Sequence, residues 1–277
     1  PVHKIVGMGG LGPVFCTLAY CLPNYQDIRS ELGSKQVMYP APRPSDPKRH
    51  MAIFCDAEER RLYETHSPDL ELEEAIACLC TTLHETIGHA SGSMIEGVTE
   101  KVRNERLGRW GNGLEEMRAE ILALYSFTRF YDEIVQSGFL GRWPSVLTPS
   151  EAKFLAVQHI AGGGWRRWRG LPSGTTAITQ AHALADTGIM YYLIDNTDGA
   201  VTLSAESVDL PEKDGTTTQL PVLRFRIGDL DKVLPAVEQL AQKVQHMSST
   251  ADVAEVNEFM EKYAASTRDP SYADIVT

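Results

Sequence analysis

The chain has 277 residues, of which 43% are hydrophobic, 23% charged and 8% aromatic, a profile that excludes disorder, collagen-like repeats and coiled coil. That length suffices to build a sizeable core. The formal net charge of −11 argues against a general nucleic-acid binder, which needs a basic face.

The opening PVHKIVGMGG has a single Lys and no long apolar core, so it does not read as a signal peptide. Residues 1–22 are apolar and glycine-rich, and VFCTLAYCL (14–22) reads as a buried strand or short helix. The three prolines of APRPSDPKRH mark an irregular loop, and MAIFCD (51–56) is a short strand candidate. From Asp69 onward, apolar residues recur at helical spacing for about six turns, with Ser67-Pro68-Asp69 as the capping start. A second helix runs from about Gly113 to Ser137-Gly138, and a third begins at Thr148-Pro149-Ser150-Glu151. The glycine-rich AGGGWRRWRGLPSG reads as a break before a fourth helix around ITQAHALADTGIMYYLID. VTLSAESVDL and QLPVLRFRI alternate with period two across PEKDGTTT, a hairpin signal. Two amphipathic helices, about 229–246 and 251–264, finish a mainly α (α+β) chain with a small β-hairpin.

No apolar run approaches the ~20 residues of a membrane span. The five cysteines (Cys16, Cys21, Cys55, Cys78 and Cys80) are odd in number and lie in apolar stretches, which reads as reduced packing residues of a cytoplasmic protein. Gly7 to Gly12 mimics a dinucleotide-binding loop but lacks the strand before it and the helix with a ribose-binding acid after it. Trp165-Arg166-Arg167-Trp168-Arg169 is an isolated basic run in an acidic chain, expected to pack its Trp rings and turn Arg toward a cleft or partner.

The chemistry concentrates in His84-Glu85-Thr86-Ile87-Gly88-His89. The zinc-protease motif H-E-x-x-H places two His one helical turn apart with a Glu beside bound water. Here the second His comes one residue late, and at about 100° per residue the pair is rotated roughly 140° out of register. One extra residue taken up as a π-type bulge restores convergence, and Gly88 is a natural place for it. Twenty-six residues after His89 comes Glu115-Glu116-Met117-Arg118-Ala119-Glu120, on the next long helix. Glu116 and Glu120 share a face at i,i+4, so one can bind metal while the other orients a ligating imidazole.

HETIGHASG followed by EEMRAE resembles the zinc peptidases of the dipeptidyl peptidase III family, which carry HELLGHGSG and EECRAE. PNYQDIR (23–29), QAH (180–182) and STADV (249–253) resemble that family's PNYDDLR, QAHMQAR and STGDV, in the same order. The resemblance implies one zinc per chain on His84, His89 and Glu116, with Glu115 and Glu120 as carboxylates behind the ligands. It implies that Glu85 is the general base acting on zinc-bound water, that His182 meets the reacting carbonyl oxygen, and that Asn24 holds the substrate backbone. It further implies a single catalytic domain over residues 1–277.

The chain also departs from that family. Its peptidases are more than twice this length, with a second, N-terminal lobe that grips the substrate's amino terminus, and this chain begins just upstream of PNYQDIR. Cys21 stands where the family has a second substrate-binding Asn, Asp186 stands where it has the Arg of QAHMQAR, and the loop from His89 to Glu115 is shorter. The expected function is zinc-dependent hydrolysis of a peptide or amide bond in a small peptide. The alternatives are zinc acting on a non-peptide small molecule, or a non-catalytic zinc-binding protein. A homo-oligomer, or a partner chain replacing the missing lobe, stays open. Neither nucleic acid nor membrane is an expected partner.

Overall fold

The computed structural model describes residues 19–22, 35–38 and 44–276, apart from 139, 140, 170, 173 and 213. Ala19–Leu22 (β1) pairs antiparallel with Lys35–Met38 (β2). Asn24 and the Gly7 to Gly12 run lie outside the described residues.

The strand expected over 51–56 is instead the end of one helix and the start of the next. Asp46 accepts from Arg49 N and Pro47 opens the first turn, so Pro47–Phe54 (α1) is started by its own sequence. Met51 and Cys55 are both buried, one helical turn apart. Asp56 then accepts from Glu59 N at 2.7 Å and caps Ala57–His66 (α2).

Glu71–Leu83 (α3) runs directly into a π-helical turn, His84–Gly88. Glu100–Leu107 (α4) lies in what sequence left as the loop between the two motifs, capped by Thr99. A 3₁₀ turn, Gly108–Trp110, leads into Gly111–Arg129 (α5). The long second helix expected from Gly113 therefore breaks at Phe130 and resumes as Tyr131–Gln136 (α6). Pro149–Ala161 (α7) starts where the sequence places it, and the structure adds a full capping box between Thr148 and Glu151.

The glycine-rich break contains a helix of its own, Gly163–Trp168 (α8), because Trp165 and Trp168 supply buried anchors, 2% and 0% exposed. Trp168 Nε1 donates to Thr187 Oγ1 at 2.9 Å, which satisfies the indole in the core. Ala181–Asn196 (α9) is capped by Gln180. Val201–Pro211 (β3) and Thr217–Ile227 (β4) form the expected hairpin, in register from Val201↔Ile227 to Pro211↔Thr217. Leu230–Thr250 (α10), Val253–Tyr263 (α11) and Pro270–Val276 (α12) complete the chain, the last not foreseen.

Helix α5 is the axis of the molecule: α3, the π turn, α7, α9 and α10 all pack against it. The β3–β4 hairpin lies against α1, α7, α9 and α12, and Arg224 of β4 donates to the terminal carbonyls of α1, Ala52 and Ile53. Among the described residues, no helix is long and apolar enough to cross a membrane.

Candidate metal centre

The late second histidine is accommodated by the backbone. Over His84–Gly88 the hydrogen bonding widens to the π pattern, and His89 N donates to His84 O at 2.9 Å. This puts both imidazoles on one side, with His84 Nε2 and His89 Nε2 3.0 Å apart. Gly88 lets that turn lie on α5, since a Cβ there would stand 2.5 Å from Ala119 O and 2.6 Å from Ala119 Cα. Close contact with α5 brings up Glu116, whose Oε2 is 3.4 Å from His84 Nε2 and 3.5 Å from His89 Nε2.

These three atoms form a nearly equilateral triangle. Tetrahedral zinc with bonds of about 2.0–2.1 Å needs its ligand atoms roughly 3.3 Å apart, which matches sides of 3.0, 3.4 and 3.5 Å. Glu116 Oε2 is buried without a hydrogen-bond partner, as an oxygen waiting for a cation would be.

Behind each imidazole stands another carboxylate. His89 Nδ1 faces Glu115 Oε1 at 3.2 Å, and His84 Nδ1 faces Glu120 Oε1 at 3.4 Å. A carboxylate on Nδ1 fixes the tautomer that turns the Nε2 lone pair forward. Glu115 is itself held by Arg118, through Nη2 at 2.6 Å and Nε at 3.1 Å, and by Arg103 Nη1 at 2.8 Å. Arg118 Nη1 also donates to Ser91 O at 2.8 Å, tying down the segment after the π turn.

The electrostatics favour positive charge in the triangle. Burial opposes ionisation of Glu115, but His89, Arg118 and Arg103 outweigh it and hold its carboxyl well below the usual range. Burial likewise opposes ionisation of Glu116, and the neighbouring imidazoles of His84, His89 and His182 outweigh it and hold its carboxyl well below the usual range. Against the penalty of burial, Glu120 and Glu116 push His84 up, and Glu115 and Glu116 push His89 up. Two imidazoles drawn toward protonation while facing each other are better served by one shared cation.

Glu85, 6% exposed, follows His84 on the same turn, and its Oε2 has no hydrogen-bond partner. Burial raises its pKa, with both histidines opposing and Glu116 and Glu120 adding to the rise. His182 enters from the first turn of α9, with Nδ1 3.3 Å from Glu116 Oε2 and a ring centroid 6.3 Å from that of His84. Burial lowers its pKa, Glu116 working the other way.

His84, Glu85, His89, Glu115, Glu116, Glu120 and His182 are thus gathered in one place; Asn24 lies outside the described residues. Sequence reasoning missed the clamp on Glu115. Arg118 carried a signal, three residues after Glu115 on one helix face, whereas Arg103, on a helix not foreseen, carried none. Among the described residues Cys55, Cys78 and Cys80 are free thiols, and none joins the centre.

Helical layers thus bring two histidines and a carboxylate into a group that could hold a metal ion. The chain matches peptidase family M49 over residues 15–106 and 99–276, and it belongs to that family. It is similar to dipeptidyl peptidase 3 of Rattus norvegicus (24% identity), Mus musculus (25%) and Homo sapiens (24%), each over 90% of this chain. It spans about a third of those relatives, 35% of their length. The fold is shared with dipeptidyl peptidase III from Caldithrix abyssi, at TM-score 0.60 and 20% identity over 94% of this chain and 42% of that one. The enzyme from Corallococcus sp. strain EGB gives TM-score 0.57 at 18% identity, over 94% and 40%.

Proposed function

We propose that residues 1–277 form the catalytic unit of a zinc-dependent hydrolase of the dipeptidyl peptidase III type, acting on a peptide or amide bond. The observation that carries this reading is the triangle of His84 Nε2, His89 Nε2 and Glu116 Oε2, with a carboxylate behind each imidazole. Two neutral imidazoles and one carboxylate would hold zinc with a position left for water or substrate. The ion supplies Lewis acidity, which makes water a nucleophile near neutral pH.

The chain's own groups do the rest. Glu85, beside His84 and kept without a hydrogen-bond partner on Oε2, accepts the proton of the attacking water and delivers it to the leaving nitrogen. Its raised pKa suits a group that must take and return a proton. His182 stands beside the triangle, its Nδ1 3.3 Å from Glu116 Oε2, and its ring is the group placed to stabilise the carbonyl oxygen as it gains charge. Glu115 and Glu120 hold the two ligating rings in orientation, and Arg118 and Arg103 hold Glu115.

Metal analysis and turnover of an internally quenched peptide library test this together. His84→Ala, His89→Ala and Glu116→Ala should each lose zinc, because two remaining ligands do not replace a coordinate bond. Glu85→Gln should keep zinc near one per chain and lower turnover by about 10²–10⁴-fold, the usual worth of a general base. Full zinc in all three ligand variants would overturn the metal assignment. Unchanged turnover in Glu85→Gln would overturn the role given to that carboxylate.

A further inference from the structure

Helices α8 and α9 approach closely beside the metal centre because α8 opens on two glycines. A Cβ on Gly163 would stand 3.2 Å from Asp186 Oδ2, and one on Gly164 would stand 2.8 Å from Asp186 O. That approach encloses the Asp186 carboxylate, whose side chain is 5% exposed and whose Oδ2 accepts from Arg167 Nε at 2.8 Å. The pair is lopsided, for the Arg167 side chain is 47% exposed. Only its Nε is engaged; among the described residues neither Nη group has a hydrogen-bond partner. One edge of the guanidinium is therefore pinned to a buried acid, and the other is a free pair of donors.

The direction of that free edge follows from α9. His182 and Asp186 are four residues apart on this helix, so they share a face about 6 Å apart along its axis. The first turns Nδ1 to Glu116 Oε2 at 3.3 Å, and the second holds Arg167. The Arg167 charge is felt at His182, Glu116 and Glu120, which places it beside the centre. If Arg167 served only to neutralise Asp186, nothing would require a half-exposed side chain with both Nη groups open. A planar fork with two parallel donors matches a carboxylate, and pinning it through Nε removes rotamer freedom before a ligand arrives.

Resting on the hydrolase reading above, the geometry points to Arg167 as a specificity-determining residue that binds a substrate carboxylate one helical turn from His182, with Asp186 as its positioning residue. The ligand class is a short peptide with a free carboxylate near the bond to be cut, from its C-terminus or from an acidic side chain.

Calorimetric titration of the purified full chain tests this, with and without added zinc, using three probes: tetraalanine, its C-terminal amide, and Ala-Ala-Ala-Glu-amide. Tetraalanine, the Glu-bearing amide or both should bind about 10-fold or more tightly than the tetraalanine amide, and which of them does so identifies the source of the carboxylate. Arg167→Ala alone would strand a buried carboxylate and risks misfolding. The paired change Arg167→Gln with Asp186→Asn removes both charges together and should abolish the preference while circular dichroism and zinc content stay unchanged. Equal affinities of all three probes for the wild-type chain, including no measurable binding of any, overturn the proposal, as does a preference that survives in the paired variant. Binding is read without turnover, so a chain that prefers carboxylates but holds no zinc sinks the hydrolase reading and keeps Arg167.

Discussion

Where the π turn meets α5, Glu115 accepts from Arg118 at 2.6 and 3.1 Å, from Arg103 at 2.8 Å and faces His89 at 3.2 Å. Where α2 meets α8, Glu59 is 2% exposed and has Arg166 at 3.4 Å, while Glu59 Oε2 and Arg166 Nε are both buried without partners. Burial acts against the charge of both acids. At Glu115 converging donors win, and the carboxyl stays well below its usual range. At Glu59 burial wins: with Asp56 and Glu73 adding to it and Arg166 opposing only in part, the carboxyl is pushed up to about 7. Nearness to an arginine does not keep a buried acid ionised; the number and aim of the donors do. Glu115 is held as a fixed negative charge behind the His89 imidazole, whereas Glu59 is a buried acid that keeps its proton up to near neutral pH.

The largest effect expected from that contrast is at Arg118. Arg118→Ala leaves Glu115 buried with half its donors and frees Ser91 O, and should cost about 3–5 kcal/mol in urea unfolding, the range for breaking a buried pair. A loss under about 1 kcal/mol would mean that Arg103 alone suffices, and the clamp would have to be redrawn.

At Glu59 the test is pH. The folded chain keeps this proton up to about pH 7, while the unfolded chain releases it near the ordinary 4.5. Its contribution to stability is therefore full below pH 4.5 and is lost as pH rises through 7, about 3 kcal/mol in all. Glu59→Gln, which copies the protonated acid, should be less stable than wild type at pH 4.5 relative to its standing at pH 8. Parallel stability curves for the two proteins across that range would show that Glu59 is not displaced.

What was legible in the sequence follows the range of the physics. The start of α7 at Thr148-Pro149, the β3–β4 hairpin and the π turn at the late His89 are local, fixed by residues within a few positions of each other. Neighbouring acids on one helix face marked Glu116 and Glu120 for the same reason. The strand expected at 51–56 failed because a short apolar run cannot reveal its period, and the caps Asp46 and Asp56 decided it. α8 was hidden because its glycines read as a break, although they serve close approach to α9 and its Trp anchors hold it. Arg103 on Glu115 depends on how α4 packs, and no spacing in the chain encodes it.

The smallest of the expected effects bears on the backbone that makes the Glu115 corner possible. Gly88 faces Ala119 of α5, and a Cβ there would meet three atoms of that residue, O at 2.5 Å, Cα at 2.6 Å and Cβ at 2.8 Å. Two of these are main-chain atoms inside a long helix, so no rotamer change relieves the clash. In Gly88→Ala the turn must move away from α5, at about 1–3 kcal/mol for overpacking. That movement would carry His84 and His89 away from Glu116, Glu115 and Glu120, so zinc affinity should fall along with stability. Gly92→Ala supplies the control: it is also strained, at a φ of +81°, but the three atoms nearest its Cβ would all belong to the flexible Gln245 side chain. A comparable loss of stability there with zinc affinity near wild type would tie the Gly88 effect to the metal centre. Equal zinc affinity in Gly88→Ala and wild type would mean that the π turn reaches its ligand geometry without resting on α5.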